Sequence, residues 1–408
     1  MTPLRSGLFA AARSPRLRRF AENSKLARPV VDRFVAGAAQ SDALRTTAEL
    51  LGSGRLVTLD FLGEDVTSRE EAAVTVSAYQ TLLAALAGTG AGRRADVSVK
   101  LSAIGQALPG DGDKIALDNA RQICIAAEAA DTTVTLDMEH HTTTDATLAT
   151  LAELRVDFPA TGAVLQAYLR RTEADCRDLA TVGSRVRLCK GAYAEPPSVA
   201  YRGADVDDCY QRCLRTLLTG GGSPMIATHD PAVIATAHEL IRASHRQPDS
   251  YEFQMLLGIR RDEQHALASS NRMRVYVPYG QQWYGYFMRR LAERPANVGF
   301  FLRSLITRPS RTARGSARYC LLPPPWRQRG MRLSAFPAGE FLSSCQAAIR
   351  AKFRAVLVAV CQRASALARR RRILGGDAAG PGVQGLQPRF DPCQARRQAG
   401  TQVRGSIA

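Results

Sequence analysis

Three observations predict an α/β chain folded as a (β/α)8 TIM barrel, with N-terminal helices before it and an extension of little order after it. From residue 55 onward, short apolar runs alternate with stretches of helical spacing. Eight such runs fall within residues 55–308, the length of one barrel of this kind. No Gly-x-Gly-x-x-Gly follows the first run, which counts against the runner-up, a doubly wound open sheet with a dinucleotide fingerprint.

Residues 1–54 read as a helical segment. Its first 20 residues are Arg-rich and carry no acid before Glu22. That suits either a mitochondrial transit peptide or a basic, exposed first helix. The chain has 5 lysines among 55 basic residues, the bias of a GC-rich bacterial genome, which favours the helix. Secretion is rejected, because no apolar h-region is present. The strand candidates are 55–60, 96–101, 133–138, 163–168, 185–190, 224–229, 251–256 and 272–278. Each is followed by helical spacing. From Lys114 to Ala130, residues Ile115, Ala116, Ala120, Ile123 and Ala127 share one face. Asp230 before Pro231 is an N-cap followed by proline in the first turn.

The net charge of +18 is concentrated at the end of the chain. Residues 309–408 hold 18 Lys and Arg against 3 Asp and Glu, so the body is nearly balanced. Nucleic-acid binding is therefore expected at most through the tail. Nine scattered cysteines show no CxxC spacing and read as reduced thiols. Cys209 and Cys213, one helical turn apart, read as packing. No apolar run near the end approaches the length of a membrane span.

In a barrel of this kind the active site lies at the C-terminal ends of the strands. Polar residues gather there: Lys100; Asp137, Glu139, His140 and His141; Gln166; Lys190 and Tyr193; Thr228, His229 and Asp230; Glu252 and Gln254; Tyr276 and Tyr279. Two of the few lysines sit at run ends, where a compact ammonium is specifically placed; the plain alternative is two snorkelling surface lysines. Consecutive residues on a strand point to opposite faces, so Glu139-His140-His141 is not expected to bind metal. Without Gly-x-Ser-x-Gly, acyl transfer has no support. The polar set suits a flavin, a heterocycle with a phosphate tail. Lys190-Gly191-Ala192 offers it a cation and close backbone approach. Helical spacing sets Glu293 one turn beyond Arg289 and Arg290, a pair fit for a carboxylate or, read plainly, an exposed basic helix.

The stretches RLCKGAY at 187–193, YEFQMLLGIR at 251–260, RVYVPYG at 274–280 and YFMRRLAE at 286–293 together resemble proline dehydrogenases of the monofunctional bacterial type. With 97–102 and 136–139 the resemblance covers roughly residues 20–308. It implies a distorted barrel that binds FAD and oxidises L-proline to 1-pyrroline-5-carboxylate, with a quinone as electron acceptor. It implies that Arg289 and Arg290 hold the proline carboxylate beside Glu293. Tyr276 and Leu256 would line the ring pocket, Lys100 and Asp137 would stand on the substrate side, and Tyr193 would close the site. Met138, Val164, Gln166, Arg187, Lys190, Gly191, Ala192, Tyr193, Thr228 and His229 would contact the flavin. Ala194 follows Tyr193 where some relatives carry an aromatic residue, which puts the adenine contact in question. The implied location is cytoplasmic, with peripheral contact at the inner face of a membrane.

Residues 309–408 have no counterpart in the resemblance. They are Arg-rich, hold 4 of the 9 cysteines and read as GC-rich DNA translated out of frame, hence little ordered. The rival is a genuine basic extension for anionic lipid or nucleic acid. Two other functions compete with proline oxidation: another flavin-dependent barrel reductase, resembling methylenetetrahydrofolate reductase, and an inert, basic-tailed binding protein.

Overall fold

Parallel strands need helical crossovers, and the alternating pattern supplies them. The computed structural model describes residues 31–287. The expected N-terminal basic helix, the Arg289–Arg290–Glu293 cluster and the tail lie outside these residues. Helix α1 (Gln40–Gly52) leads into β1 (Leu56–Phe61), α2 (Arg69–Ala87), β2 (Ala95–Val99) and α3 (Gly112–Ala129). There follow β3 (Thr133–Leu136), α4 (Thr144–Asp157), β4 (Gly162–Gln166), α5 (Thr172–Leu179) and β5 (Arg185–Cys189). The barrel is completed by α6 (Ala204–Thr219), β6 (Ser223–Ala227), α7 (Pro231–Ala243), β7 (Glu252–Leu256), α8 (Arg261–Ala268) and β8 (Met273–Tyr279). All eight expected strands form, and they close in sequence order into one parallel barrel. The seam joins β1 to β8 from Leu56↔Arg274 to Phe61↔Tyr279.

The strands alternate, unlike most strands of parallel sheets. Val57 and Leu59, Val97 and Val99, Val186 and Leu188, and Val275 and Val277 are buried in the apolar layer under the helices. The residues between them fill the barrel with polar groups. Thr58, Thr133 and Thr135 donate to the Asp96 carboxylate at 3.1, 2.6 and 3.0 Å. The expected face of α3 is buried at Ala116, Ala120, Ile123 and Ala127, with Ile115 half-buried. Asp230 caps α7 by accepting from the Ala232 N–H at 3.0 Å, with Pro231 in the first turn. Cys209 and Cys213 are buried in α6 with their sulfurs 3.8 Å apart.

At the rim, Val31, Phe34 and Val35 pack with Leu62, Ile259, Tyr284 and Phe287 in a separate apolar cluster. The Ala36 N–H donates to Pro278 and the Gly280 N–H to Gly37, both at 2.9 Å. The residues before α1 thus sit beside the helix that begins at 283. Among the described residues, no helix is long and apolar enough to cross a membrane.

Candidate active site

The inward-facing polar side chains fall into two tiers. The lower tier is at the strand starts. Glu252, the first residue of β7, accepts from Arg274 Nε at 2.7 Å and Nη2 at 3.1 Å. Arg274 also donates to the Val57 carbonyl at 2.8 Å. Arg185 meets Asp96 at 3.2 Å. Burial pushes the Asp96 and Glu252 carboxyls up, but the surrounding arginines outweigh it and hold both below their ordinary values. Glu252 therefore belongs to the floor, not to the strand-end set where its sequence position suggested it.

The upper tier is at the mouth. Lys100, just past β2, donates to both Asp60 oxygens at 2.8 and 2.9 Å. Its ammonium is 3.6 Å from Asp137. Burial favours loss of its proton, but the negative charges of Asp60 and Asp137 prevail and raise it well above its ordinary value. Asp137 accepts from Tyr276 Oη at 2.8 Å, Ser98 Oγ at 2.7 Å and Arg187 Nη1 at 2.9 Å. Burial and the charges of Asp137 and Asp60 keep the Tyr276 hydroxyl protonated far above its ordinary range. Gln254 links the tiers: it accepts from Arg187 Nε at 2.6 Å and donates to Glu252 at 2.6 Å.

Above this tier opens a cavity of about 730 Å³. The structure brings Lys100, Asp137, Met138, Val164, Gln166, Arg187, Lys190, Gly191, Ala192, Tyr193, Thr228, His229, Leu256 and Tyr276 together on its wall. Gln166 is oriented by donating to the Glu139 carbonyl at 2.8 Å. His229 Nε2 accepts from the Leu256 N–H at 3.0 Å, which leaves Nδ1 as its protonated nitrogen. Lys190 reaches Asp230 at 3.0 Å and also pairs with Asp207. Those two carboxylates overcome the effect of burial and raise its pKa. Gly191 has φ +107°, and a Cβ there would stand 1.9 Å from the Tyr168 ring. The glycine is thus required by its neighbour within the chain.

Glu139, His140 and His141 do not converge. Glu139 accepts from the Ser102 N–H at 3.0 Å and from its hydroxyl at 2.7 Å, while the two histidines turn to Glu195. Sequence reasoning missed Asp60, Glu64 and Tyr286 among the lining residues, and it named Asp230 and Gln254 at the strand ends without giving them a role. Asp60 had a signal: the first run ends Thr58-Leu59-Asp60, and the third run reads Thr135-Leu136-Asp137.

Arg187 Nη2 is buried without a hydrogen bond and stands 3.6 Å from Asp96 Oδ2 of the floor, an ion-pair distance. The volume lies within the roughly 300–1,000 Å³ usual for ligand pockets. Comparison with known proteins agrees with this architecture. The family model described as "Proline dehydrogenase" matches residues 43–303. The "Proline dehydrogenase" of Deinococcus radiodurans is 40% identical over 281 residues, 68% of this chain and 90% of that protein. "Proline dehydrogenase 1" of Bacillus subtilis is 39% identical over 279 residues, 67% of this chain and 90% of that one. Among solved structures, proline utilization A from Bdellovibrio bacteriovorus superposes with a TM-score of 0.61 at 26% identity. That match covers 68% of this chain and 34% of the longer protein. The chain belongs to the proline dehydrogenase family, as an enzyme of the monofunctional type.

Proposed function

We propose that the protein oxidises L-proline to 1-pyrroline-5-carboxylate with FAD as its cofactor, and that the electrons pass on to a quinone. The observation that carries this reading is the mouth tier: Lys100, Asp137, Arg187 and Tyr276 locked together beneath one cavity. Bound FAD would supply the acceptor for the hydride that leaves the carbon next to the proline nitrogen. Arg187, Gln166, Thr228, His229 and the Lys190–Tyr193 segment would hold it, with Met138 and Val164 supplying apolar wall.

On the substrate side, Leu256 and Tyr276 bound the space for the pyrrolidine ring. By the family resemblance, Arg289 and Arg290 would bind the carboxylate, for which paired guanidinium groups are suited, and Glu293 would accompany them. Tyr276 keeps its proton and fixes Asp137, so neither acts as a strong base. Lys100 is held protonated by Asp60 and Asp137, so it offers the site no base either. The proline amine therefore loses its proton to water on binding, and turnover at low proline rises with pH. The barrel supplies orientation, worth several kcal/mol of barrier. We place the enzyme in the cytoplasm, with peripheral contact at the membrane that holds the quinone.

The test is the visible spectrum of the purified protein before and after anaerobic L-proline. Flavin bands that bleach with proline, and not with NADH, support the reading. A flavin bleached by NADH alone points to another barrel reductase. Protein without flavin bands, even after incubation with FAD, overturns the assignment.

A further inference from the structure

The segment after β5 carries Lys190, Gly191, Ala192 and Tyr193, all on the cavity wall. Backbone bonds fix its two ends to the chain that follows β4. The Tyr168 N–H donates to Lys190 at 2.9 Å, the Tyr201 N–H to Tyr168 at 2.7 Å, and the Arg170 N–H to Val199 at 3.0 Å. Its middle carries one buried carboxylate that reaches the segment after β3. Glu195 is 3% exposed, yet it is a carboxylate. It accepts from the His141 N–H at 3.1 Å, from His140 Nδ1 at 3.2 Å and from His141 Nδ1. Burial pushes the Glu195 carboxyl up, but the bonds from His141 and His140 prevail and keep it below its ordinary value.

Both histidines belong to the segment after β3, so this contact spans the end of β4. It reaches the cavity through stacked rings: His140 meets Tyr193 with centroids 4.4 Å apart and planes at 56°. Two further groups surround Glu195. Arg202 donates to its backbone carbonyl. The Tyr168 hydroxyl is raised by burial and by the Glu195 charge, and the Tyr168 ring fills the space against Gly191. Neither Glu195 nor the two histidines line the cavity. A buried carboxylate stripped of its donors is strongly disfavoured, so the segment would move rather than leave Glu195 unpaired.

We propose that Glu195, gripped by His140 and His141, is a positioning residue that fixes Tyr193 and Gly191 as a wall of the cofactor site. It thereby sets how tightly the cofactor is retained. This rests on the flavin reading above.

The test uses the full chain and the variants Glu195→Ala, His141→Ala and His141→Asn. FAD affinity is read from flavin fluorescence, turnover is read at saturating FAD, and hydrogen exchange is followed across residues 191–203. Losing these charged hydrogen bonds should weaken FAD binding roughly tenfold or more in both alanine variants. Exchange should rise across the segment, while turnover at saturating FAD is retained. His141→Asn keeps a donor near the Nδ1 position and should recover most of the affinity. Unchanged affinity with unchanged exchange overturns the proposal, as does turnover lost at saturating FAD with affinity intact. Wild-type protein that binds FAD but is not bleached by proline refutes the proposed reaction and leaves the clamp standing. Wild-type protein that binds no FAD overturns both.

Discussion

The floor and the mouth of this barrel are built from the same side chains and behave differently. Both are tiers of arginine or lysine against aspartate or glutamate. On the floor, the Arg274 and Glu252 side chains meet through two bonds, and Arg274 spends a further donor on the Val57 carbonyl. At the mouth, Arg187 Nη2 is buried without a hydrogen bond and meets Asp96 of the floor only at 3.6 Å. A fully paired tier makes a structure rigid, whereas an incompletely paired one is a place for a ligand. Residue type does not separate the two; the count of satisfied groups does.

The largest effect should come from breaking the floor. Arg274→Met leaves Glu252 buried without its partner, and denaturant unfolding should show a loss of about 3–5 kcal/mol. A loss below about 1 kcal/mol would mean that the floor is not a closed ion-pair tier. Arg187→Lys at the mouth keeps the charge but loses the fork. We expect FAD affinity to fall by roughly tenfold or more, with stability changed far less than in the floor variant. Equal losses of stability in the two variants would erase the distinction between the tiers.

Acid and alkali should sharpen the same contrast. Asp96 and Glu252 are held below their ordinary values of 3.8 and 4.5. Their contribution is complete above those values and is lost as pH falls through the depressed ones. Lys100 is held above its ordinary 10.5, so its contribution is complete below that value and is lost as pH rises through the raised one. Thermal unfolding followed against pH should therefore show Arg274→Met flattening the acid limb and Lys100→Met flattening the alkaline limb. The smallest effect lies outside both tiers. Ser68 caps α2 by accepting from the Glu71 N–H at 3.2 Å, and Ser68→Ala should lose about 1 kcal/mol without change in FAD binding.

Much of this was legible in the chain. The eight strands were visible because each run is short, apolar on alternate residues and bounded by helical spacing. Their ends were less so. The runs were read through Leu101, Met138, Tyr168, Lys190 and His229, whereas pairing stops at Val99, Leu136, Gln166, Cys189 and Ala227. The pattern continues past the last paired residue because the mouth residues still face the barrel interior. Direction along a strand is also invisible to composition, which is why Glu252 was grouped with the mouth while lying at the start of β7. The roles of Asp60 and Gln254 were harder, since they come from Lys100 and Arg187, which reach them from other strands. The Glu195 contact with His140 and His141 links residues 54 and 55 positions apart, and no local signal marks it.

The seam between β1 and β8 has a consequence for how the chain is made. Arg274 donates to the Val57 carbonyl across 217 residues of sequence. A ribosome adding about 5–20 residues per second needs roughly ten to forty seconds between those two points. Throughout that interval the outer edge of β1 has no strand to pair with. The nascent barrel therefore waits as an open sheet, and its last strand is also its lock. A pause in translation before β8 would prolong the most aggregation-prone moment in the life of the molecule.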